Sequence, residues 1–230
     1  AVNHLLNRLR RALEAERSFT ANAAHELRTP IAAALAQTQR LIAETKDTAA
    51  RERSKQIEAA LQRLSRLAEK LMQLARAEGG RLRSAEASDI RPVVKLVVDE
   101  IIRTSDAAGR VDLALPDAPI LSDIDPDALA IAARNLIDNA LRHGAPGGLV
   151  AVTLSLAGEL TVSNDGSPVP PDVLERLSQP FERGQTIADG SGLGLAIARA
   201  IASGVGGKLV LSSPRPGREG GFEARLSLPL

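Results

Sequence analysis

The sequence predicts an α+β protein: an N-terminal helical hairpin forming a dimeric four-helix bundle, followed by an α/β sandwich built on a mixed sheet. Three observations predict it. Ile57, Leu61, Leu64, Ala68, Leu71 and Ala75 recur at alternating four and three, a heptad seam that two antiparallel helices cannot bury alone. Glu78-Gly79-Gly80 then stops the helical pattern with the glycines expected at a helix C-terminus. From residue 86 onward, strand-like and helical stretches alternate, the texture of a sheet covered by helices.

In chain order, residues 1–17 read as an amphipathic linker helix, with Leu6, Leu9 and Leu13 on one stripe, running into the bundle. Residues 18–80 form the hairpin. Its first helix carries Leu27, Ile31, Leu35, Thr38 and Ile42 on the expected buried face, and Thr45–Ala50 breaks the apolar spacing as a turn. The alternative to a dimer is a hairpin docked on the following domain. The boundary falls near residues 79–88, and the second domain spans 86–230. It should hold a helix over Pro92–Ala108, a strand at Arg110–Leu115, and a helix at Pro126–His143 capped by Asp125. Strands follow near Leu149–Leu156 and Leu160–Ser163, then a helix at Gly194–Ser203 and strands at Lys208–Ser213 and Phe222–Leu228. There is no internal repeat and no low-complexity tract.

Composition narrows the function classes. With 230 residues and 44% hydrophobic content, one or two globular domains fit. A net charge of +1 implies no nucleic-acid or membrane surface. The absence of cysteine excludes disulfide frameworks and thiolate metal sites. Three Phe with neither Tyr nor Trp excludes aromatic platforms for single-stranded nucleic acid. No apolar run approaches the ~18 residues a membrane span needs, and no signal peptide precedes the first helix. The stretch therefore reads as a soluble intracellular piece, and its start inside a helical pattern without Met reads as a cut from a longer chain.

The stretch around which the chemistry is organised is SFTANAAHELRTPI, Ser18–Ile31. At about 100° per residue, His25 and Thr29 share a helix face, with Glu26 one step round. His25 lies about 200° from Leu27, so its imidazole is expected to face solvent. A carboxylate beside an imidazole can hold the proton of one ring nitrogen and leave the other as a nucleophile. Pro30 inside the helix removes a backbone bond and bends the axis, a poor choice for a purely structural helix.

A second constellation lies in ARNLIDNALRHG. Asn135 and Asn139 are four apart and share a helix face, with Arg142 and His143 a turn later. Two carboxamides and a cation beside a loop suit a hydrated Mg²⁺ with phosphates, because Mg²⁺ prefers oxygen ligands and keeps several waters. Downstream, in GSGLGLAIARAI, Gly190, Gly192 and Gly194 open an apolar helix, with Leu193 between the last two. Such glycines let backbone amides approach an anion at a helix N-terminus. No βαβ unit with an acidic residue about 20 positions on accompanies them, which argues against dinucleotide binding. Before them stands PFERGQ, where Phe181 is placed to anchor a lid edge and Arg183 to reach phosphate. VSNDGSPVP, between the asparagines and the lid, is a turn following a strand.

The His25 string resembles the phosphoacceptor box of sensor histidine kinases. The later stretches, in order, resemble the asparagine box, first glycine box, phenylalanine box and second glycine box of their ATPase domain. That domain has the Bergerat-type fold shared with gyrase, Hsp90 and MutL. The resemblance covers roughly residues 10–230. It implies ATP and Mg²⁺ as cofactors, Asn139 as Mg²⁺ ligand, and Asn135 where gyrase-like relatives carry a catalytic glutamate. It also implies that Arg142, His143 and Arg183 approach the phosphates, that Phe181 belongs to the lid, and that Gly190, Gly192 and Gly194 line the phosphate side.

One position departs from the pattern. The first glycine box usually reads Asp-x-Gly-x-Gly, its Asp accepting from the adenine amino group. Here it reads Asn164-Asp165-Gly166-Ser167-Pro168. Asn164 keeps an acceptor oxygen but loses the charge, weakening adenine recognition by about 1 kcal/mol. Asp165 is the acceptor instead if the register shifts by one.

The resemblance implies a homodimeric kinase that phosphorylates His25 from ATP, with Glu26 orienting the ring and taking its proton. It then passes the phosphoryl group to an aspartate of a response-regulator receiver domain. Thr29 resembles the position that orients water for dephosphorylating the regulator, a second activity that Thr29→Ala should remove. The full-length protein is expected in a bacterial inner membrane with this piece in the cytoplasm. The alternatives are a gyrase- or Hsp90-like ATPase and a degenerate, non-catalytic dimerisation module.

Overall fold

The structure, a computed structural model, describes residues 26–79, 82–104, 107, 109–182 and 191–230. The chain divides into two compact units, Ala1–Gly79 and Gly80–Leu230. The linker helix expected over residues 1–17 and the His25 side chain lie outside the described residues.

In the first unit, residues 26–44 are helical (α1) and α2 spans Thr48–Gly79. Pro30 lies within α1; lacking an N–H, it leaves the Glu26 carbonyl without its usual helical donor. Between the helices, Asp47 Oδ1 accepts from the N–H groups of Ala49 at 2.8 Å and Ala50 at 3.3 Å, satisfying donors of the first turn of α2. Across the hairpin, Gln39 Nε2 donates to Glu58 Oε1 at 2.9 Å.

The single hairpin covers its apolar faces only in part. Ile31, Ser54, Ala68 and Ala75 are buried, whereas Leu27, Ile57 and Leu64 are 48%, 52% and 44% exposed. The seam is straddled: its Ala68–Ala75 flank is covered, while its Ile57–Leu64 flank points outward. One hairpin covers only one side of an apolar stripe this wide.

The second unit is built on a five-stranded sheet. Its strands are β2 (Val111–Ala114), β4 (Val150–Leu154), β5 (Glu159–Asn164), β7 (Phe222–Ser227) and β6 (Lys208–Ser212), in that spatial order. β2 and β4 are parallel and the other pairs antiparallel. Helices α3 (Arg91–Thr104), α4 (Pro126–His143) and α6 (Gly194–Gly204) supply the buried apolar faces that cover it; α5 (Pro171–Leu174) is one short turn. The period-2 alternation of β5 buries Leu160, Val162 and Asn164 in one row, so the strand delivers a carboxamide into the row of core side chains.

α4 has the predicted bounds, and for the predicted reason. Asp125 Oδ1 accepts the Ala128 N–H at 3.0 Å and Pro126 occupies the first turn, where its missing N–H costs nothing. Ala132, Ala133 and Ala140 on α4 and Ala196, Ala198 and Ala202 on α6 are small buried residues, and the two helices pack against each other.

Three elements were not anticipated: the short turn α5 and two strands. β1 (Arg83–Asp89) and β3 (Leu121–Ile124) pair as a separate antiparallel sheet. β1 reads RSAEASD and exposes most of its residues, so it carries none of the apolar alternation by which strands are read. At its end, Asp89 and Arg91 form an ion pair at 2.8 Å, and Arg91 also donates to the carbonyls of Pro116 and Asp117. The hydrogen bonds from Arg91 hold the Asp89 carboxyl down from the ordinary 3.8 to about 2. A lowered native pKa means stability that is present above the ordinary value and lost as pH falls toward the lowered one. The melting temperature of the second unit should therefore fall between pH 4 and pH 2, and Asp89→Asn should remove that component of the slope. An unchanged slope in Asp89→Asn would refute the assignment.

Candidate functional site

The site residues of the second unit gather along α4. Asn135 is 2% exposed in mid-helix, and its Nδ2 donates to the Ile131 carbonyl at 2.8 Å. Opposite it stands the first residue of α6: a Cβ on Gly194 would sit 3.3 Å from Asn135 Oδ1. The N-cap residue of α6, Leu193, provides no side-chain cap, so the first-turn N–H groups and the positive end of the dipole suit an anion. Leu193 itself is fully buried and anchors the glycine turn to the core.

One turn beyond Asn135, Asn139 is half-buried, and Arg142 and His143 are exposed at the end of the helix. The His143 pKa is lowered, first by partial burial of the ring and second by the Arg142 charge. At neutral pH its imidazole is uncharged, so Arg142 is the cation of this pair.

The C-terminal end of α4 meets the loop after β5. A Cβ on Gly144 would lie 3.2 Å from Asn164 Nδ2, and the Ala145 N–H donates to the Asp165 carbonyl at 2.8 Å. Asn164 is 3% exposed; its Nδ2 donates to the Asp165 carbonyl at 3.1 Å, and its Oδ1 is buried with no partner. A buried acceptor left unpaired costs about 1–3 kcal/mol, which marks a place where a ligand donor belongs. At 1.5 Å per residue, the nine steps from Asn135 to Gly144 separate the anion-seeking end from this acceptor by roughly 13 Å along the helix, the scale of a nucleoside triphosphate.

The lid residues are only partly described. Phe181 is 60% exposed with φ 66°, and its N–H donates to the Gly192 carbonyl at 3.0 Å. Arg183 and Gly190 lie outside the described residues. Asp165, the alternative acceptor, is exposed and paired with Arg215 at 2.9 Å, while Asn164 carries the buried oxygen; this supports the unshifted register. Gly166 sits in the same loop in extended backbone. In the first unit, Glu26 and Thr29 are exposed on α1.

The donor set fits the group expected of it. Among the described residues no three His, Cys, Asp or Glu side chains form a metal cage. The half-buried carboxamide of Asn139 suits Mg²⁺ held mainly by phosphate oxygens and water. Sequence reasoning passed over Ser213, Arg215 and Gly221, which brace the Asn164 loop from the β6–β7 hairpin; the turn signal in PRPGREGG was its only trace.

Comparison with known proteins gives two family matches. Residues 15–80 match the His Kinase A (phospho-acceptor) domain. Residues 124–230 match the histidine kinase-, DNA gyrase B- and HSP90-like ATPase family. Sensor protein QseC of Salmonella typhimurium is 34% identical over 232 residues, covering 99% of this chain and 51% of that protein. The chain thus spans about half the length of the curated relatives it matches. Among solved structures, the Acinetobacter baumannii histidine kinase AdeS is 26% identical with a TM-score of 0.57, over 90% of this chain and 98% of that one. Full-length ShkA in complex with AMPPNP shares the fold at a TM-score of 0.69 and 23% identity, over 92% of this chain and 45% of that one.

Proposed function

Since the chain belongs to the sensor histidine kinases, with a phospho-acceptor unit ahead of an ATPase unit, we propose that it transfers the γ-phosphoryl group of ATP to His25. The phosphoryl group then passes to an aspartate of a response-regulator receiver domain. The observation that carries the ATP half of this reading is the orphaned Asn164 Oδ1, a buried acceptor facing no protein donor. It is the group an adenine amino N–H would satisfy.

The roles follow from the chemistry of each residue. Asn164 fixes the base. The first turn of α6, behind Gly192 and Gly194, receives the phosphates, with Arg142 and Arg183 as cations. Asn139 holds Mg²⁺, which supplies charge neutralisation on the phosphate oxygens. Glu26, next in sequence to His25, orients the imidazole and takes the ring proton as the other nitrogen attacks phosphorus.

Asn135 favours a kinase over a gyrase-type ATPase. Its carboxamide is buried and its amide group is committed to the Ile131 carbonyl, so nothing at this position can deprotonate water. The outward flank of the hairpin, with Leu27, Leu41, Ile57 and Leu64 all 44% exposed or more, supports pairing with a second copy. No helix among the described residues is long and apolar enough to cross a membrane. Anchoring in a membrane, with this portion in the cytoplasm, is proposed for the longer protein.

The test is incubation with γ-labelled ATP and Mg²⁺. Wild type should acquire label that is lost in acid and kept in base, and His25→Ala should acquire none. Label retained by His25→Ala, or stable to acid, would overturn the assignment of the acceptor.

A further inference from the structure

The loop that presents Asn164 is braced from behind by the hairpin between β6 and β7. Arg215 Nη1 pairs with Asp165 Oδ1 at 2.9 Å, its own side chain only 22% exposed. The Gly221 N–H donates to the Gly166 carbonyl at 2.7 Å. The Ser213 hydroxyl donates to the Gly221 carbonyl at 2.7 Å and accepts from the Val169 N–H at 2.8 Å. The approach is so close that a Cβ on Gly221 would lie 2.6 Å from the Asn164 carbonyl oxygen.

These contacts hold the loop from Asp165 to Val169, and Arg215 reaches the residue next to Asn164. Asp165, gripped through its side chain by Arg215, carries on its backbone the carbonyl that receives the Asn164 Nδ2. A carbonyl only accepts, so the carboxamide nitrogen faces it and the Oδ1 is turned the other way, buried and without a partner. A carboxylate at position 164 would present an acceptor in either orientation. A carboxamide has two orientations of opposite sense: one accepts from an exocyclic amine, the other donates to an exocyclic carbonyl. Asparagine here therefore requires a device that fixes its rotation.

Resting on the nucleotide reading given above, we propose that Arg215 and Ser213 are positioning residues for base selection. By holding the loop that carries the Asp165 carbonyl, Arg215 at Asp165 and Ser213 at Val169 and Gly221, they keep Asn164 Oδ1 presented as an acceptor. The site then takes a purine triphosphate bearing an amino group at the ring position it faces and discriminates against one bearing an oxo group there. Loss of the brace lets the carboxamide rotate and relaxes the choice.

The measurement is calorimetric binding of Mg·ATP and Mg·ITP, which differ in that one substituent, to the whole chain. Wild type should prefer ATP. Arg215→Met and Ser213→Ala should each lower the ATP-over-ITP ratio roughly tenfold, the scale of one hydrogen bond, and Arg215→Lys should restore part of it. In an Asn164→Asp background, Arg215→Met should leave the ratio unchanged, because a carboxylate has no orientation to lose. ATP and ITP affinities falling together in both brace variants would mean a merely structural role and would overturn the proposal. So would an unaltered ratio in Ser213→Ala, which keeps the proposal testable if Arg215→Met does not fold. No ATP binding by wild type would remove the nucleotide reading and the proposal with it. Binding with a ratio indifferent to the brace would remove the proposal alone.

Discussion

Asn164→Leu is expected to raise the melting temperature of the unliganded protein by about 2–4 °C while weakening Mg·ATP binding about a hundredfold. The two effects have one cause. In the free protein Asn164 Oδ1 is buried with no donor, a cost of about 1–3 kcal/mol that a leucine, with the same heavy-atom branching, removes. The Asp165 carbonyl that loses the Asn164 amide keeps the Ala145 N–H at 2.8 Å, so no new orphan is created. In the complex the balance reverses, because the amino group of adenine would be buried against a methyl group with nothing to accept its proton. Scanning calorimetry without ligand and titration calorimetry with Mg·ATP read the two sides separately. A variant that loses both stability and affinity would show that Asn164 supports the fold and does not meet the base.

Much of the second unit was legible because its signals are local. Asp125 and Pro126 announce the start of α4 whatever surrounds them, and the alternation in β5 and β7 fixes which side chains go inward. Asn164, read as part of the turn after a strand at Leu160–Ser163, was singled out by its likeness to the first glycine box; that it is the last inward position of β5 comes from the structure. What escaped depends on tertiary partners. β1 carries no large apolar side chain and is a strand only because β3 offers it hydrogen-bonding groups. The hairpin residues Ser213 and Arg215 lie about 50 positions from the loop they brace, and no periodicity spans that gap. The seam of α2 was read as one stripe because spacing shows which residues share a face, not how far round the helix a neighbour's cover extends. Asn135 and Asn139 share a face by spacing, yet burial separates them: one bonds back to its own helix and the other sits half-buried at the site.

Gly192→Ala carries the other large expected effect, and a paired control isolates its cause. Gly192 has φ +68°, a conformation that costs an L residue about 1–2 kcal/mol. Gly109, in the turn before β2, has φ +75° but open space around its would-be Cβ, so Gly109→Ala carries that backbone cost alone. At Gly192 the Cβ would fall 2.8 Å from the Glu182 carbonyl oxygen and 2.9 Å from the Phe181 carbonyl carbon. Both are backbone atoms and cannot swing aside. The alanine must therefore break the hydrogen bond from the Phe181 N–H to the Gly192 carbonyl, which ties Phe181 to the residue two before α6. Phe181, a non-glycine residue itself held at φ 66°, is released with it. Since Gly194 packs against Asn135 two residues on, the anion-binding turn loses its alignment with α4. Gly109→Ala should lower the melting temperature slightly and leave nucleotide affinity unchanged. Gly192→Ala should lower it further and weaken Mg·ATP by roughly thirty- to a hundredfold, about 2–2.7 kcal/mol. Equal effects of the two alanines on stability, with ATP affinity intact in both, would mean that the turn tolerates a side chain and that the phosphates are held elsewhere.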